Sequence, residues 1–419
     1  MRVAGLFRPK PLPVDSVHDA AATDLLLALG RAFHQAGTPA DVLEDILRDV
    51  AGTLGIALQV NALPTSLMVA VGPPSGQRLI ILRLDPGKLN LRKLAMLNEL
   101  YDRIRARTAD VDTAMAEIST IDSVVRPRPP VITIAAYALL SLGASILLGG
   151  GPREMQVSTL TGLAIGAIAA ISDRSVAVER LFEVLAAFVA TLVVAAYETF
   201  VGPVALYIAI IAGVVQLLPG FTLTSALHEL ASRHLVAGTA RLGAVLVTLL
   251  SLGCGFALGV AIVGPGLFAA PTLSPVHAPG VMVIPAALAM AAAIAVILRA
   301  RFQDFGWVCA SCVIAIVASR VFAALPGHQV AAFGAAFLVG ILTNLGARYW
   351  HIPPAVVLVP GILVLVPGSL SYESILYVFQ NDVTNALDIA VDVGLAAIFI
   401  VAGTLLSQII IRPADAIRN

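Results

Sequence analysis

From residue 131 onward the chain is a series of apolar runs broken by short polar stretches. At about 20 residues a run is long enough to cross roughly 30 Å of hydrocarbon as a helix. Ten runs are predicted: about 131–149, 156–172, 181–201, 203–218, 239–263, 279–298, 304–323, 328–347, 354–368 and 384–410. The fourth and ninth are short, and each contains or ends at a Pro-Gly. Upstream the pattern changes. Residues 18–36 and 39–54 show helical spacing, the second through Val42, Ile46, Val50 and Leu54. Extended runs follow at 57–61, 66–71 and 78–84, with 72–76 as a turn. A longer helix opens at Asn90, a good N-cap, and its polar continuation is expected to reach about Ser119.

The two short runs belong to a doubled stretch. Residues 216–248 align without gaps on 364–396, a spacing of 148. In each copy a short apolar helix meets Pro-Gly, at Pro219-Gly220 and Pro367-Gly368, and hydroxyl-rich residues open a second helix. Proline removes a donor and glycine tolerates positive φ, so each Pro-Gly is expected to break its helix. Interrupted hydrophobic segments at matching places of two halves point to a transporter site.

At 58% hydrophobic and 12% charged, the chain is too apolar for an ordinary soluble domain. Charge concentrates before residue 131, with 15 Lys/Arg and 14 Asp/Glu against 11 and 12 afterwards. The net charge of zero, without a basic block, gives no support to a nucleic-acid partner. No apolar run of signal-peptide length precedes the early prolines, so no cleaved export signal is expected. With the N-terminal domain in the cytoplasm, inside segments carry Arg126, Arg128, Arg174, Arg180, Arg233, Arg241, Arg299, Arg301, Arg348, Arg412 and Arg418. Outside segments carry Arg153 and Arg320, so eleven face two. Five crossings per repeat insert the second copy upside down. The expected fold is therefore a polytopic α-helical membrane protein, two inverted five-span repeats with broken helices preceded by a small α+β cytoplasmic domain. The boundaries are 1–125, 126–265 and 266–419, with both termini cytoplasmic and the first Pro-Gly nearer the cytoplasm than the second.

Ionisable groups inside spans are costly and tend to face a bundle interior or a wet cavity. Asp388 and Asp392 share one face of the tenth run, and two close carboxylates push one pKa upward, which suits a proton carrier. Solvation at the outer interface accounts for them equally. Glu183, Glu373, His228 and Glu229 are further proton-coupling candidates, Glu183 with an interfacial cluster as the competing reading. Glu198 is expected to snorkel. Thr222, Thr224, Ser225, Ser369, Ser371 and Tyr372 lie at starts of half-helices, where free amides and the dipole favour a carboxylate, although capping alone explains them. With Pro219, Gly220, Pro360, Gly361, Pro367 and Gly368 they form the candidate substrate site. Asn344 and Gln216 read as polar glue between helices, and Gly162, Gly166, Gly255 and Gly259 as packing positions. Cys309 and Cys312 form a C-x-x-C without a second pair, read as membrane packing. No metal, cofactor or nucleophile-base pair is called for, so a secondary transporter is favoured over an embedded enzyme, with a channel as a further alternative.

Several motifs resemble the threonine/serine exporter family over nearly the whole length. They are His34-Gln-Ala-Gly-Thr38 with Val42-x-Glu44, Pro64-Thr65-Ser66, Asn90-Leu-Arg-Lys-Leu94 with Asn98, Leu218-Pro-Gly220, Val359-Pro-Gly-Ile362 and Leu365-Val-Pro-Gly-Ser369. The resemblance implies a ten-span plasma-membrane exporter of threonine and serine, driven by protons, in the fused form of a system whose split relatives are associated with succinate. Its implied partners are the small-molecule substrate, protons and the bilayer, with self-association left open. The residues alone do not choose between a zwitterion and a dicarboxylate.

Overall fold

The computed structural model describes residues 18–73, 76–85, 87–123, 129–264, 280–325, 328–366, 368–379 and 382–411. Pro367, Arg126, Arg128, Arg412, Arg418 and nearly all of the 264–278 loop lie outside the described residues, as does the side chain of Ser369. Two compact units divide the chain, one from residues up to 125 and one from 126 onward, with Leu89–Ala95 grouped in the second.

In the first unit α1 (His18–Gln35) and α2 (Ala40–Leu54) precede a meander of β1 (Leu58–Leu63), β2 (Ser66–Val71) and β3 (Arg78–Arg83), antiparallel in the order β1-β2-β3. The helices α3 (Leu91–Arg105) and α4 (Val111–Ser123) follow. Motif residues of this domain hold its frame. His34 Nε2 donates to Leu63 O at 3.1 Å, and Glu44 Oε1 accepts from Ala62 N at 2.9 Å, so both tie helices to β1. Asn90 Oδ1 caps α3 by accepting from Lys93 N at 3.1 Å. The long polar continuation expected after Asn90 is two helices instead. Arg107 adopts φ 57°, and Asp110 caps α4 through Thr113 N at 2.9 Å, so the helix stops and a new one starts. The Thr113 hydroxyl and amide hold the Asp110 carboxyl below its usual range.

The second unit runs α5 (Pro130–Leu147), α6 (Pro152–Ser172), the short α7 (Val176–Arg180), α8 (Phe182–Phe200), α9 (Leu206–Val214), α10 (Gly220–Ala231) and α11 (Leu235–Val263). After the 265–279 gap come α12 (Val283–Ile297), α13 (Phe305–Phe322), α14 (His328–Trp350), α15 (Pro354–Leu365), α16 (Gly368–Phe379) and α17 (Val383–Ile410). Among the described residues nine helical stretches are long and apolar enough to cross a membrane. Counting the bent pair Leu206–Leu217 with Gly220–Ala231 as one crossing makes ten. The fourth apolar run is thus no span by itself: twelve residues reach about 18 Å, roughly half a bilayer core. α15 is equally short.

Neighbour relations repeat between the halves. α6 packs on α5, α8 and α9, as α13 packs on α12, α14 and α15; α8 meets α9 and α11, as α14 meets α15 and α17. The half-helices cross over, α10 packing on α17 and α16 on α11, while α5 and α12 meet directly. Side-chain bonds repeat as well. Ser158 Oγ on α6 donates to Ala209 O, and Ser311 Oγ on α13 donates to Val357 O; the two carbonyls are 148 positions apart (357 − 209). The paired glycines are contact points. A Cβ on Gly162 would lie 2.7 Å from Ser141 Oγ, and one on Gly255 2.2 Å from Val184 O, so α5–α6 and α8–α11 approach closely.

Candidate functional site

At both breaks the residue ahead of the proline is extended. α9 tightens into a 3₁₀ turn at Val215–Leu217, and Leu218 is extended (φ −65°, ψ 124°); after α15, Val366 takes φ −64°, ψ 135°. A residue before proline is pushed out of the helical region, so each extension follows from the proline behind it. The first break bends the chain by 58°. Gly220 has no positive φ. A steric constraint acts at both breaks. A Cβ on Gly220 would fall 2.3 Å from Val366 Cγ1 and 3.5 Å from Gly368 Cα, and one on Gly368 would fall 3.0 Å from Leu218 Cβ. The two breaks therefore touch.

A cavity of about 240 Å³ opens beside this contact. Its lining includes four pairs spaced by 148: Val215 with Leu363, Gln216 with Val364, Leu218 with Val366 and Gly220 with Gly368. The other walls are the C-terminal half of α5, Phe221, Met290 of α12, and Ile316, Ser319 and Arg320 of α13. The space thus extends toward the side where α5 and α13 end. It lies just below the usual range of ligand pockets, roughly 300–1,000 Å³, and suits a small molecule. Its polar groups are few. Gln216 Oε1 is buried without a hydrogen-bond partner, the amides opening α10 have no side-chain cap, and Ser319 Oγ donates to Ile316 O at 2.9 Å.

Of the residues expected to bind substrate, Gly220 and Gly368 line this cavity. Pro219 turns the chain beside it, while Thr222, Thr224, Ser225, Ser371 and Tyr372 lie farther along α10 and α16 and are not in its wall. Tyr372 is fully buried within the hydrophobic core of the first half. Pro360 and Gly361 sit inside α15 against α13 and α14: a Cβ on Gly361 would meet Ser311 Oγ at 2.4 Å and Val339 Cγ1 at 2.6 Å. Cys312 Sγ lies 3.7 Å from Pro360 O, its thiol donating, and the cysteines are free.

The acidic candidates divide. Glu229, 0% exposed, accepts from Arg241 Nε at 2.9 Å with both carboxylate oxygens, joining α10 to α11. His228 and Glu373 are half-buried, as is Glu183 in the first turn of α8. Asp388 and Asp392 are exposed on α17 and do not line the cavity. Glu198 does not snorkel fully: its Oε2 is buried without a hydrogen-bond partner. Two buried carboxylates were not singled out from the sequence. Glu154 accepts from Gly151 N and Ala205 N, at 2.9 and 2.8 Å, pinning the start of α6 to that of α9; Asp304 accepts from Arg301 Nε at 2.8 Å. Glu154 three residues after Gly151 was the legible signal. Arg320 was read only as a topology marker, since nothing local in a helix-end arginine reveals a cavity.

These features define a polytopic helical membrane protein with two like-packed halves and a small cavity at their broken helices. The chain belongs to the threonine/serine exporter family: one family model described in those words matches residues 24–263 and a second matches 282–410. Curated relatives include pheromone-regulated membrane protein 10 of Saccharomyces cerevisiae strain YJM789, 28% identical over 380 residues, 86% of this chain and 48% of that protein. The Eremothecium gossypii protein of the same name is 27% identical over 392 residues, covering 88% and 51%. The chain spans about half the length of these relatives. No solved structure matches it.

Proposed function

We propose that the protein is a secondary transporter that moves threonine and serine out of the cell across the plasma membrane, driven by the proton gradient. The observation that carries this reading is the cavity whose wall is built from four residue pairs at the repeat spacing. Two halves contributing equivalent residues to one small chamber suit alternating access, in which the chamber is offered to each side by rocking one half against the other. In this reading the halves are inverted and both termini are cytoplasmic, so α5 and α13 end outside and the chamber is turned outward. Broken helices supply unpaired amides and carbonyls, which hydrocarbon tolerates only when buried or facing a wet cavity. They offer an amino acid both donors and acceptors. Proton coupling is assigned to a carboxylate among Glu373, Asp388 and Asp392, groups whose charge can change with the side they face. Counterflow in proteoliposomes tests the reading, with threonine, serine and succinate compared under an imposed pH gradient. Saturable, gradient-stimulated exchange of threonine and serine is expected. Succinate alone would reassign the substrate, and non-saturating flux would make the protein a channel.

A further inference from the structure

Arg320 is the cation in the wall of the cavity. It lies in the last turn of α13, and its polar contact is a long one, Nη2 to Leu147 O at 3.4 Å. Among the described residues it has no carboxylate within ion-pair distance. A guanidinium carries five donors in a planar fork that matches a carboxylate bidentately. Here one donor reaches a carbonyl at the end of α5, leaving the others for a visitor. Three other arginines of this unit are held more tightly: Arg241 by Glu229, Arg301 by Asp304, and Arg174, whose Nη1 donates to Ala170 O at 2.7 Å. Gln216 belongs to the same cavity wall, and its Oε1 is buried without a hydrogen-bond partner. Its counterpart 148 positions later is Val364, so one half alone supplies this group. The cavity wall thus holds one cationic fork and one side chain whose amide oxygen lacks a partner.

We propose that Arg320 is the residue that recognises the substrate carboxylate at the open end of the cavity, with Gln216 Oε1 accepting from the substrate's ammonium or hydroxyl. The inference rests on the transport reading above and adds to it the two side chains that orient the cargo. One arginine satisfies one carboxylate; a second carboxylate would meet an amide oxygen, which repels it. Replacing Arg320 by lysine keeps the charge and loses the fork.

Counterflow with the full-length protein in proteoliposomes tests this, using threonine and threonine amide as competitors against labelled threonine. In the wild type the amide should compete about ten- to a hundredfold more weakly than threonine, the range of a hydrogen bond to a charged group. In Arg320→Gln that gap should close because threonine weakens while the amide does not, and Arg320→Lys should fall between. Gln216→Ala should weaken both competitors by a similar factor, since both retain the donors it accepts. An Arg320 that merely caps α5 predicts something different: lower thermal stability, with the gap between acid and amide unchanged. Wild-type affinities in Arg320→Gln, or an undiminished gap, overturn the proposal and leave the transport reading standing. If Arg320→Gln does not insert, Arg320→Lys decides, a gap equal to the wild type's counting against the proposal. A wild type that carries succinate and not threonine also overturns the proposal, because the second carboxylate would meet the Gln216 oxygen. A wild type that carries neither acid overturns the transport reading and this proposal with it.

Discussion

A carbon added at Gly220 would meet a stiff neighbour at the contact between the breaks. This Cβ would fall 2.3 Å from a methyl of Val366, whose β-branched side chain has little freedom to withdraw. Gly220→Val is therefore expected to abolish counterflow in protein that still inserts and elutes as the wild type does. At Gly368 the neighbour is Leu218 Cβ at 3.0 Å, so Gly368→Ala should be milder, retaining a measurable fraction of the rate. Tolerance of Val at both positions would reduce the breaks to packing kinks. Because Thr222, Thr224, Ser225 and Ser371 stand outside the cavity wall, Ala at each should change apparent affinity only modestly. A second residue-level prediction concerns Glu229. Arg241→Ala leaves its carboxylate, 0% exposed, without the guanidinium, and such losses cost about 3–5 kcal/mol. A lower midpoint in thermal unfolding checks it, and the double variant Glu229→Gln with Arg241→Gln should recover part of the loss.

Helices and strands here are positioned by a few polar bonds at their ends. In the hydrophilic domain Glu44 links α2 to β1 through the amide of Ala62, and Arg48 pairs with the same carboxylate. Glu44→Ala strands a buried amide, with an expected cost of about 1–3 kcal/mol. Hydrogen exchange on the full chain should show β1 amides exchanging faster while the exchange of α5 to α17 is unchanged; equal acceleration everywhere would mean global unfolding instead. The membrane elements use the same device. Glu154 satisfies amides at the starts of α6 and α9, so the half-helix is held at its N-terminal end while its C-terminal end meets the second half. Its seam with α6 is tightened by Gly213, where a Cβ would lie 2.4 Å from Thr161 Cγ2.

For the molecule as a whole, the proposal of inverted halves makes a topological prediction. Impermeant thiol reagents applied from outside should reach cysteines placed in the 264–278 loop and at Ser319, and should not reach one placed between α6 and α8. Labelling of the loop from the cytoplasmic side would sink the inverted arrangement. Proton coupling is tested by Asp388→Asn, Asp392→Asn and Glu373→Gln. The variant that removes the carrier should lose gradient-driven export while substrate-for-substrate exchange survives. Because Asp388 and Asp392 are exposed on α17, unchanged driven export in both and in the double variant would return them to solvated or lipid-edge roles.

The sequence by itself determined what depends on local chemistry and period. The apolar runs, the extended residue before each proline, the Asn90 cap and the three strands follow from side-chain spacing and backbone sterics acting over a few positions. The doubled Pro-Gly stretch marked the place of the cavity, through Gly220 and Gly368. What only the tertiary structure decided is which groups meet there. Each glycine meets a close neighbour about 148 positions away. The hydroxyls Thr222, Thr224, Ser225 and Ser371 lie outside the wall of this cavity, and α10 and α16 pack on helices of the opposite half. Arg320 and Gln216 lie 104 positions apart (320 − 216), and they share a cavity wall because α13 packs against α15 while the two breaks touch. Periodicity reports which face of a helix is apolar; it carries no information on which distant face comes to lie opposite.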